Sequence, residues 1–409
     1  MIFEVSLWLL GIAGLLSAVW GVVRYSTPLN PLTFFVALEM GVTIFSGIIT
    51  YTRWPLSGYS ENDLADVSMI SLIYLIGTTL PFLCRGPHPS RLFGLGIRAL
   101  GLGSKAVARN FRSLKLLILM LCSICAFWAL AIVGGGGTLW LTDSRFAYQV
   151  YRAGAGGFFA LTQWFMLFAF LYCLWSLRPR KPALIFLIFV FSGLAYFTGS
   201  KGNILIVPIT GLFWYHFRVR KVSLSILSFA ALALFFAFLC LQTIQGTALS
   251  WIDTLEYFND YFRVTTMFVA RIEEFGFRYG SGTLSSFWSY VPRALYPDKP
   301  YEYGYTLIHQ VLFPGLTETG NTPGVLPWSL AYLDFGILGA FLFGVANGLW
   351  RRAAYEYFLE NRDRFFAFFL MVHVALFSIL PYATFGLLIV WCVIQNSFFR
   401  LNVRVRSTQ

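Results

Sequence analysis

Charged residues are scarce in this sequence. Asp, Glu, Lys and Arg together make up only 12% of its 409 residues, whereas 58% are hydrophobic. Soluble domains carry about 25% charged residues, so the composition excludes an ordinary globular domain with a large core. It predicts an integral membrane protein.

Motifs for several chemistries are also missing. The six cysteines fall within or at the edge of apolar runs and indicate no disulfide framework. No Walker or Rossmann motif is present, and no nucleic-acid-binding motif accompanies the net charge of +12. The long polar segment 247–326 holds one histidine and no paired acids at metal-ligand spacing. We therefore expect no cofactor, no bound metal and no nucleic-acid partner.

Apolar runs account for most of the chain. A membrane-spanning helix needs roughly 20 apolar residues. Eleven segments approach this length, namely 2–23, 31–50, 66–84, 114–134, 156–176, 183–199, 203–217, 222–245, 327–350, 365–381 and 384–400. The sequence predicts an all-α polytopic membrane protein in three parts: spans one to eight in 1–246, a partly helical loop in 247–326, and spans nine to eleven in 327–409.

Basic residues mark one side of this predicted bundle. With eleven spans, 21 of the 30 Lys and Arg fall on the same side, including those of the segment 351–364. Cytoplasmic loops of membrane proteins are rich in Lys and Arg. We therefore expect a periplasmic N-terminus, a cytoplasmic C-terminus and a periplasmic segment 247–326.

The predicted periplasmic segment 247–326, the outer loop, contains three recognisable pieces. The stretch “SWIDTLEYFNDYFRVTTMFVARIEEFGF” has apolar residues at helical spacing. It predicts an amphipathic helix that lies in the membrane interface or packs on the spanning bundle. The stretch “YEYGYTLIHQVLF” (301–313) predicts a short helix, and “YVPRALYPDKP” (290–300) is a stiff, cationic segment between them.

Cations on the outer side indicate an anion site. In “YFTGSKGN” (196–203) one span ends and the next begins, so Lys201 lies beside the free N–H groups of a helix N-terminus. Arginine suits bidentate binding of phosphate oxygens. We predict that Lys201 binds one anion together with cations of the outer loop: Arg263, Arg271, Arg293 and Lys299. A solvated surface and a snorkelling lysine are the alternative interpretations.

Two acids and a small-residue stripe lie inside predicted spans. Asp334, near the outer end of its helix, either faces an outward-opening site or forms a structural ion pair or hydrogen bond. Glu39 lies mid-span and is expected to be a buried, hydrogen-bonded acid. The stripe is a predicted packing face for another helix and consists of Gly336, Ala340, Gly344 and Gly348.

Four segments occur in the order found in a known family. They are “GSKGN” between two central helices, “YFRVTTMF” (261–268), “VPRALYPDKP” (291–300) and “NTPGVLPWSLAYLDFGILGAFLFG” (321–344). Together they resemble the bacterial oligosaccharide repeat-unit polymerases, the O-antigen polymerase family related to the O-antigen ligases. The turn “LPYATFG” (380–386) departs from that pattern, since many relatives carry an arginine there.

The resemblance implies a GT-C-like glycosyltransferase of the bacterial inner membrane. It would polymerise repeat units carried on undecaprenyl pyrophosphate into O-antigen or a similar surface polysaccharide, on the periplasmic face and without a metal. The outer cations would stabilise the leaving pyrophosphate. Membrane lipid is an expected partner, and a chain-length regulator and a flippase are further ones.

The acceptor hydroxyl needs a base within hydrogen-bond reach. His309, Glu318 and Asp334 are the candidates, with His309 first because histidine titrates near neutral pH. Tyr305, one turn earlier, is expected to orient the histidine ring. Tyr290 and Tyr305 are candidate contacts to sugar or acceptor, because aromatic faces stack on sugar rings.

Three other functions fit parts of the sequence. An O-antigen ligase shares this body and chemistry but transfers the glycan to a lipid A core. A transporter of lipid-linked oligosaccharide would line its path with intramembrane charges, which are few here. A scaffold subunit of a polysaccharide-assembly complex is the third alternative.

Overall fold

The computed structural model describes residues 1–53, 59–84, 112–151, 155–244, 251–291, 293, 296–314 and 324–376. Every regular element in these ranges is helical, so the predicted all-α class is confirmed. The α-helices are α1 (Ile2–Tyr25), α2 (Pro31–Phe35), α3 (Gly41–Arg53), α4 (Glu61–Leu83), α5 (Arg112–Val133), α6 (Leu139–Thr142), α7 (Ser144–Tyr151), α8 (Gly156–Leu177), α9 (Lys181–Tyr196), α10 (Lys201–Arg218), α11 (Leu224–Ile244), α12 (Trp251–Ala270), α13 (Ile272–Phe275), α14 (Ser281–Ser285), α15 (Thr306–Leu312), α16 (Ser329–Glu360) and α17 (Phe365–Leu376).

Seven helices in the described ranges are long and apolar enough to cross a membrane. They are α1, the run through α2 and α3, α4, α5, α8, α11 and α16. Helices α9 and α17 are apolar but shorter, and α10 completes a hairpin with α9. The last predicted span, 384–400, lies outside the described residues, so the count of eleven stays a prediction.

Helices α4 and α16 approach each other through glycine. A Cβ on Gly344 would lie 2.5 Å from the Tyr74 carbonyl oxygen, and one on Gly348 would lie 2.2 Å from the Thr78 carbonyl oxygen. Only a residue without a side chain lets the two backbones come this close. The predicted packing face is confirmed for these two glycines.

Gly336 has a different role, because α16 breaks after Asp334. Gly336 adopts φ 61° and ψ −146°, inside the left-handed φ range that favours glycine. The break leaves the carbonyls of Leu333 and Asp334 to accept the backbone N–H groups of Arg278 and Tyr279, at 3.1 and 3.0 Å. The outer loop is therefore anchored to the interruption in this helix.

A polar network lies inside the bundle. Glu39 and Arg351 form an ion pair, and the Tyr74 hydroxyl donates to the other Glu39 oxygen at 2.9 Å. Arg351 also donates to Asn347 Oδ1 at 3.0 Å and to the Ala375 carbonyl at 3.3 Å. The prediction that Glu39 is hydrogen-bonded is confirmed, and its side chain is 15% exposed rather than fully buried.

Arg351 and Arg352 lie inside helix α16, just past the end of the predicted ninth span at residue 350. The sequence interpretation assigned both arginines to a cytoplasmic segment, and that assignment stays a prediction. Helix α16 continues to Glu360, and the two side chains are only 1% and 4% exposed. Glu39 pairs with the first and Glu356 with the second at 2.8 Å. Because both charges are paired, the helix continues through them.

The amphipathic helix α12 of the outer loop packs on α3 and α4. Phe262 is fully buried, and its N–H donates to Ser46 Oγ at 3.0 Å. The Thr50 hydroxyl donates to Asn259 Oδ1 at 2.6 Å. Of the two arrangements that the sequence left open, the structure therefore has the helix against the bundle.

Candidate functional site

The turn between α9 and α10 brings two cations together. Gly199 adopts φ 67°, and a Cβ there would lie 2.1 Å from the Ser144 carbonyl oxygen, so the turn packs tightly on α7. Arg145, the next residue of α7, donates from Nη1 to the Gly199 carbonyl at 3.4 Å. Lys201 begins α10 two residues later. Sequence analysis predicted the lysine but did not associate it with Arg145.

The electrostatics of this turn favour an anion. Lys201 is only 5% exposed. Burial and the positive charge of Arg145 both disfavour its ammonium form, and they lower the pKa of Lys201 to about 7. The N-terminus of α10 adds partial positive charge to the same place. An anion bound here would relieve the repulsion and favour the charged lysine.

The proline segment is organised by Arg293. Its guanidinium donates to the carbonyls of Pro297, Lys299 and Pro300, with the first and last bonds at 3.2 Å. It also lies 3.7 Å from the centroid of the Tyr301 ring. Carbonyl oxygens and an aromatic face thus hold this arginine in place. Arg293, which the sequence predicted to bind phosphate, stabilises the fold of the proline segment through these contacts.

Lys299 is presented by that loop. It is 4% exposed, and its Nζ lies 4.4 Å from the centroid of the Tyr303 ring. Burial and the charge of Arg293 lower the pKa of Lys299 to about 8. The Tyr296 carbonyl accepts the Lys299 backbone N–H at 3.1 Å, and the Tyr296 ring stacks on Trp288 with ring centroids 5.5 Å apart. This second cation pair therefore sits within an aromatic surface.

Helix α8 connects the two cation pairs. The 3-10 turn Ser286–Tyr290, which precedes the proline segment, contacts α8. The contact is at the start of that helix, because Gly156 faces the Ser289 carbonyl. On the other side, the Gly199 turn packs on Tyr148 of α7, whose ring lies 5.3 Å from that of Phe159 in the first turn of α8. The structure thus brings both pairs to one end of the bundle.

The other two predicted phosphate ligands, Arg263 and Arg271, differ in their hydrogen-bond partners. Arg263 lies on α12, and its buried Nε has no hydrogen-bond partner among the described residues. Arg271 forms an exposed bidentate ion pair with Glu274, with Nε at 2.9 Å from Oε1. Arg263 therefore keeps hydrogen-bonding capacity for a ligand, whereas Arg271 is engaged at the surface.

The three candidate bases occupy different environments. His309 lies on α15 and is 2% exposed. Asp334 is 1% exposed and accepts from the N–H groups of Gly282 and Thr283, both at 2.9 Å, and from the Thr283 hydroxyl. Glu318 lies outside the described residues. Asp334 therefore fastens the start of α14 to the break in α16, which is a structural use of its charge.

The aromatic candidates are only partly described. The Tyr305 hydroxyl donates to the Pro327 carbonyl at 2.8 Å, so it ties the start of α15 to the segment before α16. The prediction that Tyr305 orients the His309 ring stays a prediction. The Tyr290 side chain lies outside the described part of the molecule.

A metal ion in a protein is usually held by a group of His, Cys, Asp or Glu side chains. Among the described residues, no three or more of these side chains lie together in such a group.

Two curated proteins are similar to this chain. They are the O-antigen polymerases of Salmonella typhimurium and Salmonella typhi, each 25% identical over 224 residues. The chain is similar to these two O-antigen polymerases at low identity. The alignment covers 54% of this chain and 54% of each relative, so the chain spans about half the length of the curated relatives it matches. No family model and no solved structure matches the chain.

The resemblance to O-antigen polymerases that the four segments indicated is thereby confirmed. Two features of the site escaped sequence analysis. Arg145 is 56 positions from Lys201, and only the packing of α7 on the Gly199 turn joins them. Tyr301 and Tyr303 were not among the candidates, yet each ring pairs with one cation. Their spacing of eight and four residues from Arg293 and Lys299 was the available signal.

Replacing Arg293 by lysine is expected to increase the local opening of the proline segment about tenfold. The charge remains, but an ammonium cannot bind three carbonyls in the fork geometry of guanidinium, and hydrogen bonds to charged groups contribute about 1.5–3 kcal/mol. The amide hydrogen-exchange rates of residues 296–303 measure the effect. Arg278→Lys is the matched control, because Arg278 is an exposed arginine of the same loop. Equal rates for both variants would contradict the organising role of Arg293.

Proposed function

We propose that this chain polymerises oligosaccharide repeat units carried on undecaprenyl pyrophosphate. The observation that carries the proposal is the pair of cation clusters, Arg145 with Lys201 and Arg293 with Lys299, at one end of a membrane-spanning bundle. The similarity to O-antigen polymerases supports the same reaction. The end that carries both clusters would face the periplasm of the inner membrane.

The reaction transfers a glycosyl group. The bond between the anomeric carbon and the pyrophosphate oxygen breaks, and its electron pair leaves with the pyrophosphate. The acceptor hydroxyl oxygen bonds to the anomeric carbon, and its proton passes to a base. Charge develops on the leaving oxygens in an oxocarbenium-like transition state, where fixed cations lower the barrier most.

The residues take distinct roles in this proposal. Lys201 and Lys299 contact the pyrophosphate, with Arg145 beside the first and Arg263 as a further donor. Arg293 holds the loop that presents Lys299 and is a positioning residue. Arg271, engaged with Glu274, contributes only long-range charge.

The order of the candidate bases depends on the hydrogen bonds of Asp334. Three hydrogen bonds engage the Asp334 carboxylate, so it positions the outer loop. His309 remains the first candidate and Glu318 the second. The stacked rings of Trp288 and Tyr296 offer a surface for sugar, in addition to the predicted contacts of Tyr290 and Tyr305.

One assay tests the function directly. Purified protein is incubated with one defined undecaprenyl-pyrophosphate repeat unit and a chelator, and the products are resolved on a gel. A ladder of multiples is the expected result. Transfer that occurs only after a lipid A core is added would replace the proposal by a ligase. No product from a verified substrate in either reaction would overturn both.

Donor binding is expected to weaken as the pH rises from about 6 to about 9. Lysine is cationic below its pKa, and the values are about 7 for Lys201 and about 8 for Lys299, so both charges are lost across this window. The KM for the donor, measured at each pH, should rise. Lys201→Arg should flatten the lower part of the curve because arginine stays charged. A KM that is constant or falls with pH would contradict the role of these lysines.

A further inference from the structure

A second cationic cavity lies at the opposite end of the α9–α10 hairpin from Lys201. Helix α9 has 16 residues, so the two sites are about 24 Å apart along the helix axis. The cavity has a volume of about 520 Å³. Among the residues that line it are Trp175, Arg178, Arg180, Trp214, Arg218 and Asp363. It is therefore separate from the proposed site of glycosyl transfer.

Three arginines face one carboxylate in this cavity. Arg218 pairs with Asp363 at 3.4 Å and lies 3.8 Å from the centroid of the Trp175 ring. Arg178 and Arg180 are exposed, and within the described ranges neither forms an ion pair. The cavity thus keeps two positive charges that no described acid neutralises.

The backbone strengthens the positive potential. Arg178 ends α8 with φ 47°, a left-handed conformation that is uncommon for arginine. Arg180 immediately precedes α9, whose first turn receives no side-chain cap. The free N–H groups of that turn add partial positive charge beside the two arginines. The arrangement suits a phosphate group.

An apolar surface continues from the cavity along α9. Ile185 and Phe189, one helical turn apart, are 67% and 77% exposed. Leu177, beside Arg178, is 61% exposed. In a membrane-spanning chain such a face contacts acyl chains, and tryptophans such as Trp175 and Trp214 are typical of the headgroup level. Cationic and apolar surfaces are therefore adjacent, as a phospholipid requires.

We propose that this cavity binds the headgroup phosphate of an anionic phospholipid such as phosphatidylglycerol. Arg178 and Arg180 bind the phosphate oxygens, and Arg218 stacked on Trp175 forms the cavity wall. The acyl chains lie along Ile185 and Phe189. A zwitterionic lipid is disfavoured because its cationic group meets three arginines. A free phosphate ester lacks the chains that the apolar face would bind.

Equilibrium binding of fluorescent phosphatidylglycerol to the purified full-length protein in neutral detergent tests this site. The double variant Arg178→Gln/Arg180→Gln should bind about 30-fold more weakly, the effect of removing two cations near an anionic lipid. Arg220→Gln is the matched control, since Arg220 is exposed on the next loop and does not line the cavity. Its affinity should equal that of the wild type. If the double variant does not fold, Arg180→Gln alone should show a smaller loss in the same direction.

Competition distinguishes the sources of the phosphate. Unlabelled phosphatidylglycerol should displace the probe, whereas phosphatidylcholine and glycerol phosphate should not. Equal displacement by phosphatidylcholine would overturn recognition of the negative charge. Displacement by glycerol phosphate at the same concentration as the lipid would overturn the lipid assignment. Equal affinity of the double variant and the wild type would overturn the site.

Discussion

Replacing Lys201 by methionine is expected to lower the rate of glycan polymerisation by about 10²–10³-fold, the usual cost of removing one fixed group that stabilises developing charge. Lys201 is buried beside Arg145 in a turn that Gly199 allows to pack on α7. Methionine keeps much of the side-chain volume and removes only the charge. The loss should appear in kcat as well as in the KM for the donor, because Lys201 binds the pyrophosphate in the ground state and the negative charge on the leaving pyrophosphate grows further in the transition state.

Two controls make this result specific. Lys221→Met removes an exposed lysine beyond the end of α10 and should leave the rate unchanged. Lys201→Arg keeps the charge and should retain more activity than Lys201→Met. A rate for Lys201→Met within about twofold of the wild type, at equal protein level, would exclude a major role in stabilising the transition state.

Replacing Arg351 by methionine is expected to destabilise the folded protein by about 3–5 kcal/mol, because removal of one partner leaves the other charge buried and unpaired. The Arg351 side chain is 1% exposed, and its loss leaves the Glu39 carboxylate inside the bundle with the Tyr74 hydroxyl. Thermal unfolding in detergent measures the change. The melting temperature should fall well below that of the wild type.

The double variant Glu39→Gln/Arg351→Met separates the cost of leaving Glu39 unpaired from the cost of losing the ion pair itself. It removes both charges, so it should be more stable than Arg351→Met alone. Replacing both members of the exposed pair Arg271 and Glu274 is the matched control and should leave the melting temperature unchanged. If Arg351→Met melts with the wild type, the buried network does not stabilise the bundle.

Apolar length alone was enough to predict much of the fold. The runs that became α1, α4 and α8 are each long enough to span a bilayer, and this property needs no tertiary information. The burial of Arg351 inside the continuing helix could not be predicted, for the converse reason. The neutralising partner of Arg351 is Glu39, more than 300 positions away, so the local sequence shows only a charge that should end a span.

The sequence was enough to predict most of the cations of the candidate site, but not what each of them contacts. Lys201 and Lys299 were identified as cations beside a helix start and a proline segment. The carbonyl partners of Arg293 are backbone groups, and no residue pattern distinguishes a carbonyl that turns inward from one that faces water. Gly336 was assigned to helix packing, because a glycine in a small-residue stripe and a glycine at a helix break have the same letter in the sequence.

In the proposed reaction, the two cation clusters bind one pyrophosphate. The affinity for undecaprenyl pyrophosphate, the leaving product, is measured for the wild type, Lys201→Met, Lys299→Met and the double variant. If both lysines contact the same group, the losses should be non-additive, with a coupling free energy of at least about 0.5 kcal/mol. Additive losses, or no loss in either single variant, would contradict a shared pyrophosphate site.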